Sequence, residues 1–200
     1  MDMKPSTILA FAGRRIDAPQ ASPSRFPLSE VHRVCRQVEI VLREQRVTLV
    51  VGSAACGADL IVLQVAQQIG IRFRILLPCS RELFRATSVE DRPWSEEWNW
   101  GRLYDQLMDL AQQVGDLKIL EGLPEGHLGY QAVTEALVRE AIALGERPSR
   151  LAGGYGPVQV QALMIWDGQS RGPHDLTLHF SEEARAQGLP LVEILTCSTS

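Results

Sequence analysis

Apolar residues fall in two rhythms along this chain, and the alternation between them predicts its architecture. Short unbroken runs stop at a turn-forming residue: Thr7 to Ala12 before Gly13, Val47 to Val51 before Gly52, Ile71 to Leu77 before Pro78, and Val158 to Trp166 before Asp167 and Gly168. Such runs are too short for helices and read as buried strands. Leu117 to Leu120 and Pro190 to Leu195 are expected to add two more.

Between the runs the period changes. Leu28, Val31, Cys35, Val38 and Leu42 recur at spacings of three and four, the signature of one helix face. A second helix is predicted from about Gly57 to Gln68, stopped by Gly70. Ser95 is positioned to cap a third, with a buried stripe of Trp100, Leu103, Leu107, Leu110 and Val114. Leu128 to Leu144 and His174 to Gln187 predict two others. Gly13 to Pro27 and Cys79 to Ser95 read as long loops, and Gly145 to Pro157 as a Gly/Pro connector.

Strand and helix alternate without an internal repeat. The expected fold class is therefore α/β: a Rossmann-like, doubly wound, mainly parallel sheet of about six strands with helices on both faces. A single domain over residues 1–200 is expected from the length. Sheets of this kind bind ligands beyond the C-terminal ends of their strands, at the switch point of the strand order. Attention falls on the ends of the first two strands, and on 13–26, 52–59, 78–94 and 167–173.

Composition narrows the partners. The net charge of −4 argues against a broad nucleic-acid surface, which requires a basic stripe. No apolar run reaches the ~18 residues that span a bilayer. Met1 to Ser6 lacks a signal-peptide layout, so the expected location is the cytoplasm. Cys35, Cys56, Cys79 and Cys197 include no CxxC pair, and the histidines show no metal-binding spacing. No metal and no cofactor are expected.

Two stretches carry the main chemical candidates. In "GSAACGADL", Gly52, Ser53, Gly57, Ala58 and Asp59 open a helix directly after a strand. Small residues there leave backbone amides approachable, and the helix dipole favours an anion. The same run also reads as a tight turn packed on its neighbours. In "AGRRID", Gly13 ends the first strand, and Arg14 and Arg15 follow where a phosphate would sit. An anion is expected against the amides of Ser53 to Gly57 with Arg14 or Arg15 facing it. Gly57→Val is expected to block it while leaving the sheet mostly intact.

A third stretch, "WDGQSRGPHDL", places Asp167 and Gly168 at the same sheet edge. Asp59 and Asp167 are the weak candidates for a catalytic carboxylate, with Asp175 and Glu90 behind them. Cys56 precedes a helix N-terminus, but no neighbouring base is evident in the sequence.

Taken in order, "FAGRRID", "GSAACGADL", "LLPCSRELFRATSV" and "WDG" resemble the SLOG superfamily of Rossmann-like nucleotide-binding domains. That group includes DNA-processing protein A and the lonely-guy phosphoribohydrolases. The resemblance is nearest to the stand-alone or sensor-attached bacterial branch, found in stress and conflict signalling. It implies ligand contacts at Gly13, Arg14, Gly52, Ser53, Gly57, Ala58 and Asp59, and in the loop after Trp166. The superfamily's phosphoribohydrolases carry a PGGxGTxxE loop with a catalytic glutamate. Here the corresponding stretch is "GPHDLTLHF", which keeps Gly172 and Pro173 but lacks the glycine pair and the glutamate.

The leading expectation is a module that binds or senses a nucleotide or nucleotide-derived small molecule. The alternatives are a hydrolase cleaving an N-glycosidic or nucleotide-linked bond, and a single-stranded DNA binder. A homo-oligomer or an effector protein is the expected macromolecular partner.

Overall fold

The computed structural model describes residues 5–124, 126–146 and 157–197. In chain order the elements are β1 (Ser6–Gly13), α1 (Val31–Glu44), β2 (Val47–Gly52), α2 (Ala58–Gln68), β3 (Arg72–Leu77), α3 (Arg81–Ser88), α4 (Trp100–Gln113), β4 (Leu117–Ile119), α5 (His127–Gly145), β5 (Val158–Trp166), α6 (Leu176–Ala186) and β6 (Leu191–Leu195). A single 3-10 turn, Leu28–Glu30, leads into α1.

The strands form one sheet in the order β4-β3-β2-β1-β5-β6, and every neighbouring pair is parallel. Strand pleating sorts the side chains between two cores. Leu9, Phe11 and Val50 join the core with α1, α2 and α4. Ile8, Ala10, Leu49 and Val51 pack against α5 and α6 on the other face. With both faces covered, the strands have few positions for polar residues, which explains their unbroken apolar runs. The fold is the Rossmann-like α/β class that the alternation predicts.

The strand order reverses between β1 and β5, because the chain winds outward from β1 through β4 and then returns to β1's other side. The switch point therefore joins the β1 end to the loop after β5, not to the end of β2.

Three local expectations are corrected. The stretch Cys79 to Ser95 is not all loop: it contains α3, capped by the Ser80 hydroxyl accepting from the Leu83 amide. Asn99, not Ser95, caps α4; Ser95 instead accepts from the Trp98 amide in the preceding turn. The face α4 buries is Trp100, Tyr104, Leu107, Met108 and Ala111, while Val114 is 63% exposed. Most of the Gly/Pro connector, 147–156, lies outside the described residues. Among the described residues no helix is long and apolar enough to cross a membrane.

Candidate functional site

A cavity of about 350 Å³ opens at the C-terminal end of β1. Its floor is Gly13, Arg14 and Arg15 from the β1 end, with Ser53, Ala55 and Asp59 from the β2–α2 turn. Phe84, Tyr130, Val133 and Leu137 from α3 and α5 make an apolar wall, into which Thr87, Ser88 and Thr134 bring hydroxyls. Arg171, His174, the candidate carboxylate Asp175, Leu176 and Thr177 line it from the β5–α6 loop and the start of α6. Five of the candidate residues thus share one wall. Gly52, Gly57, Ala58, Asp167 and Gly168 do not line the cavity.

Close packing accounts for the candidate glycines. A Cβ on Gly52 would fall 2.0 Å from the Phe11 ring, and one on Gly13 would lie 2.4 Å from the Ala58 Cβ. Gly57 has φ +108°, and a Cβ there would lie 2.6 Å from the Ile16 nitrogen and 2.8 Å from the Arg14 carbonyl oxygen. Gly168 turns the chain after β5 with φ +78°.

Three amides around the α2 N-terminus are committed to the protein itself. Ala55 N–H donates to Asp59 Oδ2 at 3.2 Å, Cys56 N–H to the Ser88 carbonyl at 3.0 Å, and Ala58 N–H to the Arg14 carbonyl at 3.0 Å. Within the expected anion cradle of Ser53 to Gly57, the Ala55 and Cys56 amides are thus taken, and the turn is stitched to the segment after β1.

Arg14 is likewise engaged. Its guanidinium donates from Nη1 and Nη2 to the two oxygens of Asp175 at 2.5 and 2.8 Å, from Nε to Asp167 at 2.8 Å, and from Nη2 to the Gln169 carbonyl at 2.6 Å. Arg25 takes the other oxygen of Asp167 at 2.7 Å. Arg14 is only 3% exposed. It works as a tie between the β1 end and the loop after β5, across the switch point. Asp175 also caps α6 by accepting from Thr177 and Leu178 N–H. Burial disfavours its charge, but the bonds from Arg14 and from the Arg171 and Leu178 amides more than offset this and hold its pKa below the usual carboxylate value.

Two arginines at the rim differ from Arg14. Arg15 pairs with Asp91, and its Nε is buried with no partner among the described residues. Arg171 has no carboxylate partner for its side chain among the described residues. Desolvation and the positive charges of Arg14 and Arg25 lower its pKa.

Asp59 is the unusual acid. Burial pushes its pKa up to about 7, against smaller opposing effects of the Ala55 and Gly13 amides and the nearby Arg15 charge. A carboxyl that titrates near neutrality inside a cavity is equipped to give or take a proton. Glu90 pairs with Arg85 at 2.8 Å and does not line the cavity, so it is removed from the candidate carboxylates. Burial raises the Cys56 thiol to about 11, which removes thiolate chemistry at neutral pH.

Sequence reasoning singled out neither Arg171 nor the hydroxyl-bearing wall. Arg171 lay within a stretch already under attention. Phe84, Thr87 and Ser88 belong to α3, a helix too short to show a period in the sequence.

No family model matches the chain, and a search of curated proteins returned no match. Among solved structures, the chain is similar to the X-ray structure of DNA processing protein A from Streptococcus pneumoniae, with 16% identity and a TM-score of 0.40. The match covers 94% of this chain and 58% of that one.

Proposed function

We propose that the cavity binds a nucleotide or nucleotide-derived small molecule and that the protein acts as a sensing module. The observation that carries this reading is the division of the cavity. Phe84, Tyr130, Val133 and Leu137 offer an apolar wall of the kind a flat base packs on. Arg15 and Arg171 line the same space and supply positive charge for a phosphate. Its volume of about 350 Å³ suits a small molecule. Arg14, with four of its five N–H donors on Asp167, Asp175 and Gln169, positions the loop that presents Arg171.

Thermal melting with a panel of mononucleotides, cyclic dinucleotides and NAD-related molecules tests the reading, since a ligand that binds only the folded state stabilises it by mass action. A rise in Tm with at least one member is expected. No shift with any member at millimolar concentration would refute it. Mass spectrometry of small molecules released from the denatured protein identifies a co-purified ligand directly.

Asp59 supports a second reading, hydrolysis of an N-glycosidic or nucleotide-linked bond with this carboxyl as the general acid or base. Release of free base that depends on the protein and disappears in Asp59→Asn would promote it. Single-stranded DNA binding gains nothing from Arg14 and Arg25, whose charges Asp167 and Asp175 answer.

A further inference from the structure

We propose that Arg15 is shared between the cavity and Asp91, so that an anionic ligand group displaces Asp91 and releases the 89–99 segment. The inference rests on the reading of the cavity as an anion-binding ligand site and describes how its occupancy would be signalled.

The backbone around Arg15 is fixed. Ile16 N–H donates to the Cys56 carbonyl at 3.3 Å and Ala58 N–H to the Arg14 carbonyl at 3.0 Å, a bridge that pins Arg15 against Gly57. Its side chain is not fixed in the same way. Nη2 meets one oxygen of Asp91, while Nε is buried and has no partner among the described residues. Nε and Nη2 form one edge of the guanidinium fork. Asp91 thus occupies half of an edge built for two acceptor oxygens, and a phosphate would fill it.

The pair is also easily exchanged. The side chains of Arg15 and Asp91 are 26% and 37% exposed. Ion pairs of that kind are screened by solvent, and their loss changes an equilibrium by only ~2–5-fold. Asp59 makes no ion pair with Arg15 among the described residues; its Oδ2 accepts the Ala55 amide.

Asp91 belongs to the irregular connection between α3 and α4. That segment is anchored at its two ends, by Val89 buried in the core and by Trp98 stacked on Trp100. Between them it is held by Glu90 on Arg85 at 2.8 Å, Trp100 Nε1 donating to the Pro93 carbonyl at 3.0 Å, and His32 against Glu97 at 3.1 Å. These contacts tie it to α3, α4 and α1. Asp91 ties it to the end of β1 and the cavity. Trp94, three residues on, is 63% exposed. Letting go of Asp91 changes the freedom of a surface that already presents an indole to solvent.

The test is hydrogen exchange of peptides covering 89–99, with phosphate affinity measured by calorimetry. The probes are inorganic phosphate and pyrophosphate, with sodium chloride at matched ionic strength as control. In the wild type, exchange of 89–99 is expected to rise as either anion saturates. Asp91→Asn is expected to show the faster exchange without any anion and to bind phosphate ~2–5-fold more tightly. Arg15→Gln is expected to bind phosphate more weakly and to show no anion response. Binding to the wild type with unchanged exchange, or an Asp91→Asn protein with neither faster exchange nor altered affinity, overturns the exchange and leaves the cavity reading standing. Absence of phosphate and pyrophosphate binding in the wild type and in Asp91→Asn overturns the exchange, and the nucleotide melting panel decides the cavity reading separately.

Discussion

Arg14 grips Asp175 with both arms of its guanidinium, Nη1 to Oδ1 at 2.5 Å and Nη2 to Oδ2 at 2.8 Å, across 161 positions of sequence. The pair joins the end of β1 to the cap of α6, and both side chains are almost fully buried. Removing one partner of a buried pair leaves the other charge without compensation, at a cost of about 3–5 kcal/mol. Arg14→Ala strands Asp175 and Asp167 together and is expected to fall at the upper end of that range. Asp175→Asn keeps an acceptor for the α6 amides and is expected to cost less. Urea unfolding of the two variants checks the order. An Arg14→Ala protein as stable as the wild type would remove the tie across the switch point.

A second ionic cluster lies away from the cavity. Asp116 is fully buried and accepts from Arg74 Nε and Nη2 at 2.9 and 2.7 Å and from Arg72 Nε at 2.5 Å. Arg74 also reaches Glu140 on α5 at 2.5 Å. The cluster staples β3, the start of β4 and α5. Asp116→Ala is expected to destabilise by about 3–5 kcal/mol, while leaving any ligand-induced rise in Tm in place. Thermal melting with and without ligand separates the two effects.

Gly57 carries a prediction that reverses the sequence-based one. With φ +108° and backbone atoms under 3 Å from a would-be Cβ, the position admits no side chain without moving the segment after β1. Gly57→Val is expected to lower Tm by roughly 4–16 degrees, from a loss of roughly 2–4 kcal/mol in strain and overpacking. Circular dichroism melting measures it. A normally stable Gly57→Val protein would restore the open-cradle reading.

The strands were legible because a parallel sheet covered on both faces demands continuous apolar runs, and β5 spans the predicted Val158 to Trp166 without change. α3 was not legible. It is two turns long and buries only Phe84 and Ser88, too little to establish a period. In α4, Trp100 and Leu107 belong both to the predicted stripe and to the observed one. Packing against α2 chooses Tyr104, Met108 and Ala111 over Leu103, Leu110 and Val114. At the site, the sequence marked Arg14, Arg15, Ser53 and Asp59, which do meet at one cavity. It did not separate the arginine that ties the fold from the arginines that face the cavity. That distinction depends on carboxylates 153 and 161 positions away.

Asp59 makes stability depend on pH in a direction opposite to that of a salt-bridged aspartate. Its pKa is about 7 in the folded protein against an ordinary 3.8. Between those values the folded state holds a proton that the unfolded chain has released, so stability falls as pH rises through that window. Below about 4 both states are protonated and the acid contributes no difference. Above about 7 the folded state holds a buried carboxylate that the Ala55 and Gly13 amides and the Arg15 charge compensate only in part. Each pKa unit corresponds to ~1.4 kcal/mol, which sets an upper value of about 4 kcal/mol for the loss. Asp59→Asn keeps an oxygen for the Ala55 amide and cannot ionise. It is expected to raise stability by roughly 2–4 kcal/mol at pH 8 and by little at pH 4. Urea unfolding of both proteins from pH 4 to pH 8 measures the difference. A gain that is the same at every pH would mean that Asp59 is ionised throughout, and the carboxyl would lose its place as a proton donor or acceptor in the cavity.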